Sequence, residues 1–486
     1  MVTTTQTVAQ KGRPTLGRRG FLALAGAGGA GLLTARRALA AGGDLDWAGL
    51  RRALDGPLLR PGDTGYAQAS LPFNAALGRR TPAAIAQVTG RTDIKRCVQR
   101  AAGHGIPVAA RSGGHSYAGY STPDGGLVVD VSGMKRITVK DDGTVQVGAG
   151  ARLSQVYAAL AARGRALPGG SCPTVGIAGL TLGGGIGVLS RPYGLTCDHL
   201  KAAHVVTGEG ELLLADATHH SDLFWSLRGG GGGGGGIVTD LTFTTVAAPT
   251  VTVFSLTFPP TASAAVLSAW SQWIDAAPKA LTSVCHINGS AAGARPANRV
   301  VGTFVGTPSK LPAHLNTLIA EVGATPTART SKSYTCLGAM QHFAGGRTGR
   351  EKFRAASRLL AGTLTRSRAQ QIVDLMSGPA GVVLLIDSLG GEVAGLSPTD
   401  TVFVHRKAVA SVQIYTSDAN GGPDVLAVQD ALTPVTGGGS YVNYLNAAQK
   451  NWGSAYYGKN LPRLRKVVKK YDPHGVLDFA QNVRNA

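Results

Sequence analysis

Residues 166–187 read ALPGGSCPTVGIAGLTLGGGIG. Six glycines fall within residues 176–187: Gly176, Gly179, Gly183, Gly184, Gly185 and Gly187. Cys172 sits just after a Gly-Gly pair. Glycine gives up side-chain packing for positive φ and close backbone approach. A run this dense suits a large, flat or phosphorylated ligand pressed against the main chain. A second run, PVAARSGGHSYAG, lies upstream at residues 107–119. It holds Arg111, Ser112, Gly113, Gly114, His115 and Ser116. Either run alone is a glycine-rich loop. One bearing a histidine and the other a cysteine makes a far more specific pair.

That pair resembles the vanillyl-alcohol-oxidase-type (VAO/PCMH) flavoproteins. Within them it is similar to the berberine-bridge-enzyme-like branch, whose FAD is held by two covalent bonds. The resemblance runs from about residue 44 to the C-terminus. It implies an α+β fold of two domains. A discontinuous FAD-binding domain would span residues 42–248 and 436–486. A substrate domain with a large antiparallel sheet flanked by helices would span residues 249–435. Carried over by motif, His115 corresponds to the residue bound to the flavin 8α-methyl and Cys172 to the one bound at C6. The resemblance also places Tyr193, Asp198, Gly236, Ile237, Val238, Tyr441 and Asn443 around the cofactor. Val175, three residues after Cys172, matches the position that gates oxygen, where a small side chain marks an oxidase.

Composition narrows the alternatives. Glycine is 69 of 486 residues, about twice the usual share. Hydrophobic residues are 43% and charged ones 15%, which is not a disordered composition. The formal net charge is +21, and residues 1–40 carry six of those charges with no acid. The remaining +15 could favour acidic partners. No basic run with interleaved aromatics occurs, so nucleic acid is not the expected partner. The Lys/Arg cluster at 463–470 has the spacing of a solvated helix face. The five cysteines, Cys97, Cys172, Cys197, Cys285 and Cys336, fit neither a zinc ribbon nor a disulfide scaffold. Bridges among the four not assigned to flavin stay open. His219 and His220 lack ligand partners at metal spacing, so no metal is expected.

Residues 1–41 have the parts of an export signal: Arg18-Arg19, an apolar run to Leu33, and Ala38-Leu39-Ala40. The run is too weak for a stable membrane span. The arginine pair resembles the twin-arginine signal, which carries folded, cofactor-loaded proteins. A secreted monomer is the expectation. Leucine spacing predicts a helix over 44–60, closed by Pro61-Gly62. Residues 94–103 read as a helix and 106–111 as the strand leading to the His115 loop. A Rossmann fingerprint is the natural rival, but no strand, glycine loop and helix are followed by a ribose-binding acid at the right distance. Residues 229–236 are eight consecutive glycines. The family has Asn and Phe where Gly234 and Gly235 stand, so a looser segment is expected. Further on, helices are predicted over 262–276 and 311–322, and strands over 301–305, 382–387 and 410–415.

A flavin oxidase needs a base for the substrate O–H as hydride leaves. The resemblance puts Tyr444 at the substrate, but an unperturbed phenol with a pKa of about 10 is a poor base. Asp387, in the string IDSLGG, matches the aspartate that the family's sugar oxidases place beside the tyrosine. The alternative for Asp387 is a turn residue at Gly390-Gly391. Gln413 and Tyr415 are two apart on a strand and share a face. Tyr117 is a weaker candidate beside the His115 loop. His405-Arg406 reads as structural or as support at the flavin edge. The expected reaction is oxidation of a carbinol carbon by O2, giving H2O2, with a carbohydrate lactol or a hydroxyl of a glycosylated metabolite as substrate. Tailoring or cyclisation of a secondary metabolite is the alternative. The family's ring-closing members carry a glutamate near the Gln413 strand, which this chain lacks.

Overall fold

The computed structural model describes residues 45–418 and 425–486. The signal-like segment, residues 1–41, lies outside them. The chain first lays down β1 (Leu58–Leu59), β2 (Ala84–Gln87), β3 (Val108–Arg111) and β4 (Leu127–Asp130). Their order is β1-β2-β4-β3, with β2, β4 and β3 parallel and β1 antiparallel to β2. Parallel strands need a crossover, and the helix Arg91–Ala102 lies between β2 and β3 in the chain. It buries Ile94, Cys97, Val98 and Ala101, the spacing of one helical face. The predicted helix over 44–60 is shorter, Trp47–Ala53. Leu54 is already extended, because Gly56-Pro57 breaks the pattern before Pro61 does.

A second sheet contains β5 (Ile137–Val139), β6 (Thr144–Gly148), β8 (Leu200–Thr207), β9 (Leu212–Asp216) and β10 (Gly236–Thr244). It is antiparallel, in the order β5-β6-β10-β8-β9. Two short strands, β7 (Arg165–Ala166) and β11 (Val246–Ala247), pair beside it. Most of the glycines leading into β10 are packed, contrary to the looseness expected of the run; Gly232 stands in open space. Gly229 N–H donates to Leu182 O at 3.0 Å, and the Tyr457 hydroxyl donates to Gly230 O at 3.1 Å. Phe479 and Tyr471 lie against Gly233 and Gly235, filling space that larger residues would take.

The third sheet holds β12 (Thr250–Thr257), β13 (Leu281–Asn288), β14 (Ala297–Phe304), β15 (Ala328–Thr335), β16 (Arg354–Leu360), β17 (Val382–Ser388) and β18 (Ala410–Thr416). All pairings are antiparallel, in the order β15-β12-β14-β13-β17-β18-β16. Side chains alternate between faces along a strand. Cys285, Ile287, Val382, Leu384, Ile386, Val412 and Ile414 face a core shared with the helices Ser263–Ala276, Leu311–Val322, Arg366–Leu375 and Val425–Thr436. The intervening residues Val284, His286, Val383, Leu385, Asp387, Gln413 and Tyr415 line a cavity instead. One sheet therefore packs a core on one face and walls a site on the other. The C-terminal segment then returns to the first sheet, where Val108 N–H donates to Val476 O at 2.8 Å. The fold is thus α+β with a discontinuous first domain.

Two buried arginines tie these parts together: Arg406, read from the sequence as structural or flavin-edge support, and Arg191, which carries no sequence signal. Arg191 donates to Leu281 O at 2.7 Å, Leu389 O at 2.5 Å and Ala277 O at 2.9 Å. Arg406, fully buried, grips Asp198 at 2.8 and 2.6 Å. Breaking a buried pair leaves an uncompensated charge and costs about 3–5 kcal/mol, while an exposed pair is worth about 0–1 kcal/mol. Lys470, 60% exposed, pairs with Asp222. Arg406→Met should therefore lower unfolding free energy by about 3–5 kcal/mol and Lys470→Met by under about 1 kcal/mol, read by denaturant titration.

Candidate active site

The glycine loops meet backbone to backbone. A Cβ at Gly113 would overlap the Gly176 amide, and one at Gly176 would overlap the Ser112 hydroxyl. Only glycine permits that approach. It brings His115 and Cys172 to one hydroxyl. His115 Nε2 is 3.0 Å from Thr174 Oγ1, and Cys172 Sγ is 3.6 Å from the same oxygen. Phe73 stacks on the His115 ring with centroids 3.6 Å apart. Burial, aided by the Arg152 charge, lowers the His115 pKa to about 4. The imidazole is therefore neutral near pH 7 and keeps a lone pair for bonding to carbon.

Both residues line a cavity of about 1150 Å³, larger than the roughly 300–1,000 Å³ of sites for drug-sized ligands. Its floor includes Ser112, Gly113, Gly114, Ser116, Val175, Gly176, Gly179 and Gly187. Gly236, Ile237 and Val238 add to it, as do Tyr441 and Asn443. A Cβ at Gly179 or Gly232 would meet nothing within 4 Å. The buried Tyr120 and Ser121 hydroxyls line the same cavity and have no partner among the described residues. Open glycines, unpartnered donors and the His115–Cys172 pair fit a long, polar, ring-bearing group such as FAD. No group of His, Cys, Asp and Glu among the described residues could hold a metal.

Several candidates stand behind the wall. Arg111 pairs with Asp130 at 2.6 Å and donates to Ala69 O, so its guanidinium is used inside the protein. Asp198 is held by Arg406, and Tyr193 O accepts from His199. Gly183, Gly184 and Gly185 pack on Asn443, Phe403 and Thr196, respectively. They shape the turn rather than face the cavity. Tyr441 explains why they must be small: its hydroxyl accepts from Gly185 N at 2.8 Å and Ile186 N at 3.2 Å. Asn443 Nδ2 donates to that hydroxyl at 2.9 Å and to Leu180 O at 3.0 Å. No two of the five cysteines are bridged in the structure.

Above this floor stands an aromatic cluster. Tyr444 stacks on Tyr117 at 5.8 Å and meets Tyr441 edge-on at 5.0 Å. Tyr117 packs edge-on to Phe353 at 4.8 Å, and Phe353 stacks on Tyr415 at 5.4 Å. Gln413 Nε2 donates to the Tyr117 hydroxyl at 2.7 Å. The Tyr415 hydroxyl donates to Glu351 Oε2 at 3.3 Å. Asp387 sits within β17, opposite Val284 and Ser411 on the flanking strands. It faces the cavity and is not a cap on Gly390-Gly391, which pack on Arg191. Burial raises its pKa to about 7. Tyr444 is pushed well above 10, first by burial and then by the Asp387 charge. Cys172, Tyr117, Tyr415 and Tyr444 line the same cavity, so the two loops and the aromatic cluster share one space. Thr174, inside the opening stretch, is legible in the sequence as a hydroxyl between Cys172 and Val175. Phe73 and Phe353 carry no sequence signal, because only the fold brings them here.

Comparisons with known proteins agree with this geometry. Residues 82–216 match the FAD binding domain, and residues 440–484 match the berberine and berberine-like family. The chain is 31% identical over 446 residues to the uncharacterized FAD-linked oxidoreductase YgaK of Bacillus subtilis, covering 88% of this chain and 97% of that protein. It is 30% identical to the chitooligosaccharide oxidase of Gibberella zeae, covering 83% and 87%. The solved glucooligosaccharide oxidase of Acremonium strictum, described with a 6-S-cysteinyl, 8α-N1-histidyl FAD, superposes with a TM-score of 0.81 at 28% identity, covering 90% of this chain and 99% of that one. The class is therefore an FAD-dependent oxidoreductase. The chain belongs to the berberine-bridge-enzyme-like family of VAO/PCMH-type flavoproteins.

The Gly113–Gly176 contact gives a direct test. Gly176→Val must displace the Ser112 loop and with it His115. Flavin content per polypeptide should fall at least about tenfold, whereas Gly232→Ala, with open space beside it, should keep most of its flavin at the same expression level.

Proposed function

We propose that the protein is an oxidase that removes a hydride from a carbinol carbon, most directly the lactol carbon of a carbohydrate, with FAD held at His115 and Cys172. The carbinol carbon gives up a hydride and its hydroxyl gives up a proton. Dioxygen takes up the electron pair with two protons and leaves as hydrogen peroxide. The organic product is a carbonyl compound, a lactone when the substrate is a lactol. The supporting observation is the shared cavity of the His115–Cys172 pair and the Tyr444–Asp387 pair. Bound FAD supplies the acceptor for the hydride and passes the electron pair to O2.

The chain's own residues supply the rest. A phenol held above its ordinary pKa does not ionise alone near neutral pH. Tyr444 takes the substrate proton only as its own proton moves toward Asp387. The two repel as anions, so the pair carries one negative charge, which rests on the carboxylate. Gln413 fixes the Tyr117 hydroxyl, and Tyr117 holds the Tyr444 ring by stacking. Val175, on the cavity wall, is small enough to leave room for dioxygen. The half-buried ring of Tyr415, on the cavity wall, suits a sugar ring. The oligosaccharide oxidases among the relatives support a carbohydrate.

Below pH 7 a carboxyl with a pKa of about 7 is protonated and accepts nothing. The anaerobic flavin-reduction rate should thus rise with pH through about 7 and then level. Tyr444→Phe should lower the plateau by about 10²–10⁴-fold, the range for acid–base groups. Asp387→Asn should lower it less and remove the inflection, and the double variant should lose less than the two together. Because the folded state holds this proton more tightly than the unfolded state, stability should decline between about pH 4 and 7 in the wild type and not in Asp387→Asn. Unchanged reduction by Tyr444→Phe would move the base to Tyr415.

A further inference from the structure

The cavity is not electrically even. Besides Asp387 and Tyr444 it is lined by Arg299, Lys332 and Arg347, all exposed, and by His286 and His342. The acids lining it are Glu351 and Asp387. Glu351 is already engaged by the Tyr415 hydroxyl at 3.3 Å and lies 3.9 Å from Arg347. Asp387 forms no ion pair with these cations among the described residues, and it is committed to Tyr444 in the function proposed above. Among the described residues, no carboxylate pairs with Arg299 or Lys332. Arg299 donates Nε–H to Ser255 Oγ at 2.9 Å, which fixes the guanidinium and leaves its outer nitrogens free. The Lys332 ammonium lies 5.3 Å from the Tyr334 ring centroid.

Register places Arg299 relative to the reacting end. It pairs with His286 on β13, which pairs with Leu385 on β17, two residues from Asp387. Two strand spacings of about 4.8 Å and two residues at about 3.4 Å put the two Cα atoms about 12 Å apart. That exceeds the width of one sugar ring and matches a group on the next ring. A planar guanidinium with free nitrogens fits a carboxylate best, by two parallel hydrogen bonds. A neutral sugar gives these cations nothing to neutralise, and an amino sugar would be repelled.

We infer that the cavity selects an acidic saccharide, with the carboxylate of a hexuronic acid ring bound by Arg299 one ring away from the oxidised carbon and Lys332, on the far side of the cavity wall, adding attraction for the anion. This rests on the carbohydrate reading above and adds the charge of the substrate. Arg299 and Lys332 determine specificity and take no part in the chemistry. The +15 outside residues 1–40 adds long-range attraction for an anion at low salt.

The test uses the flavin-loaded enzyme and two kinds of probe. Methyl β-glucuronoside and methyl β-glucoside have no lactol, so calorimetry on them reads binding alone. The glucuronoside should bind at least about tenfold more tightly at low salt, and the ratio should fall toward one at about 0.5 M salt, where the Debye length is only about 4 Å. Arg299→Gln with Lys332→Gln should abolish the preference without changing the melting temperature or flavin spectrum, and Arg299→Lys should restore part of it. Cellobiose and cellobiouronic acid, which share a reducing-end lactol, then read turnover, with the acid favoured about tenfold in kcat/KM. Equal or absent binding of the two glycosides, or a preference that survives the double substitution, overturns the inference. Selective binding without oxidation of either disaccharide upholds acid recognition and overturns the lactol reading. Oxidation of both without selectivity does the reverse.

Discussion

Two strips of backbone touch at Gly113 and Gly176, and the site depends on that contact. No side chain fits between the strips. Because they are so close, Thr174 reaches both His115 and Cys172. The contact is itself supported from the far end of the chain. Tyr441 and Asn443 bind the backbone of the central glycine stretch, and Val476 bonds to the strand that leads into the His115 loop. The first domain is discontinuous because its site is closed by residues that arrive last.

The large sheet solves a different problem. Its inner residues pack four helices, and its outer residues wall the cavity. Period-two alternation lets one strand supply Ile386 to the core and Asp387 to the site. That placement costs the carboxylate its solvation and raises its pKa toward neutrality. The same burial pushes Tyr444 further from ionising. A buried phenol alone would be useless as a base. A buried phenol coupled to a carboxyl that titrates near pH 7 can accept a proton without leaving two charges in a dry site.

Much of this is legible in the sequence where backbone chemistry is strict. The strands 382–387 and 410–415 follow from alternation, and the helix 311–322 from its period. The two glycine loops declare a ligand before any contact is known. What fails to show is long-range. Arg111 and Asp198 look like cofactor contacts because they stand beside the loops, yet Asp130 and Arg406 neutralise them internally. Gly183, Gly184 and Gly185 look like a cradle, but they make room for protein neighbours. Phe73 and Phe353 are invisible because nothing local marks an aromatic that packs across the fold. The helix predicted over 44–60 runs too far because leucine spacing outweighs Gly56-Pro57 in the pattern.

The central claim is that His115 and Cys172 stand against one and the same cofactor. Tryptic peptides 112–135 and 166–201 each carry one of these residues. Peptide mapping of the denatured, flavin-containing protein by mass spectrometry tests the claim directly. The predicted result is one species in which both peptides are joined through a single FAD. Recovery of the two peptides separately, both free of flavin, would contradict it.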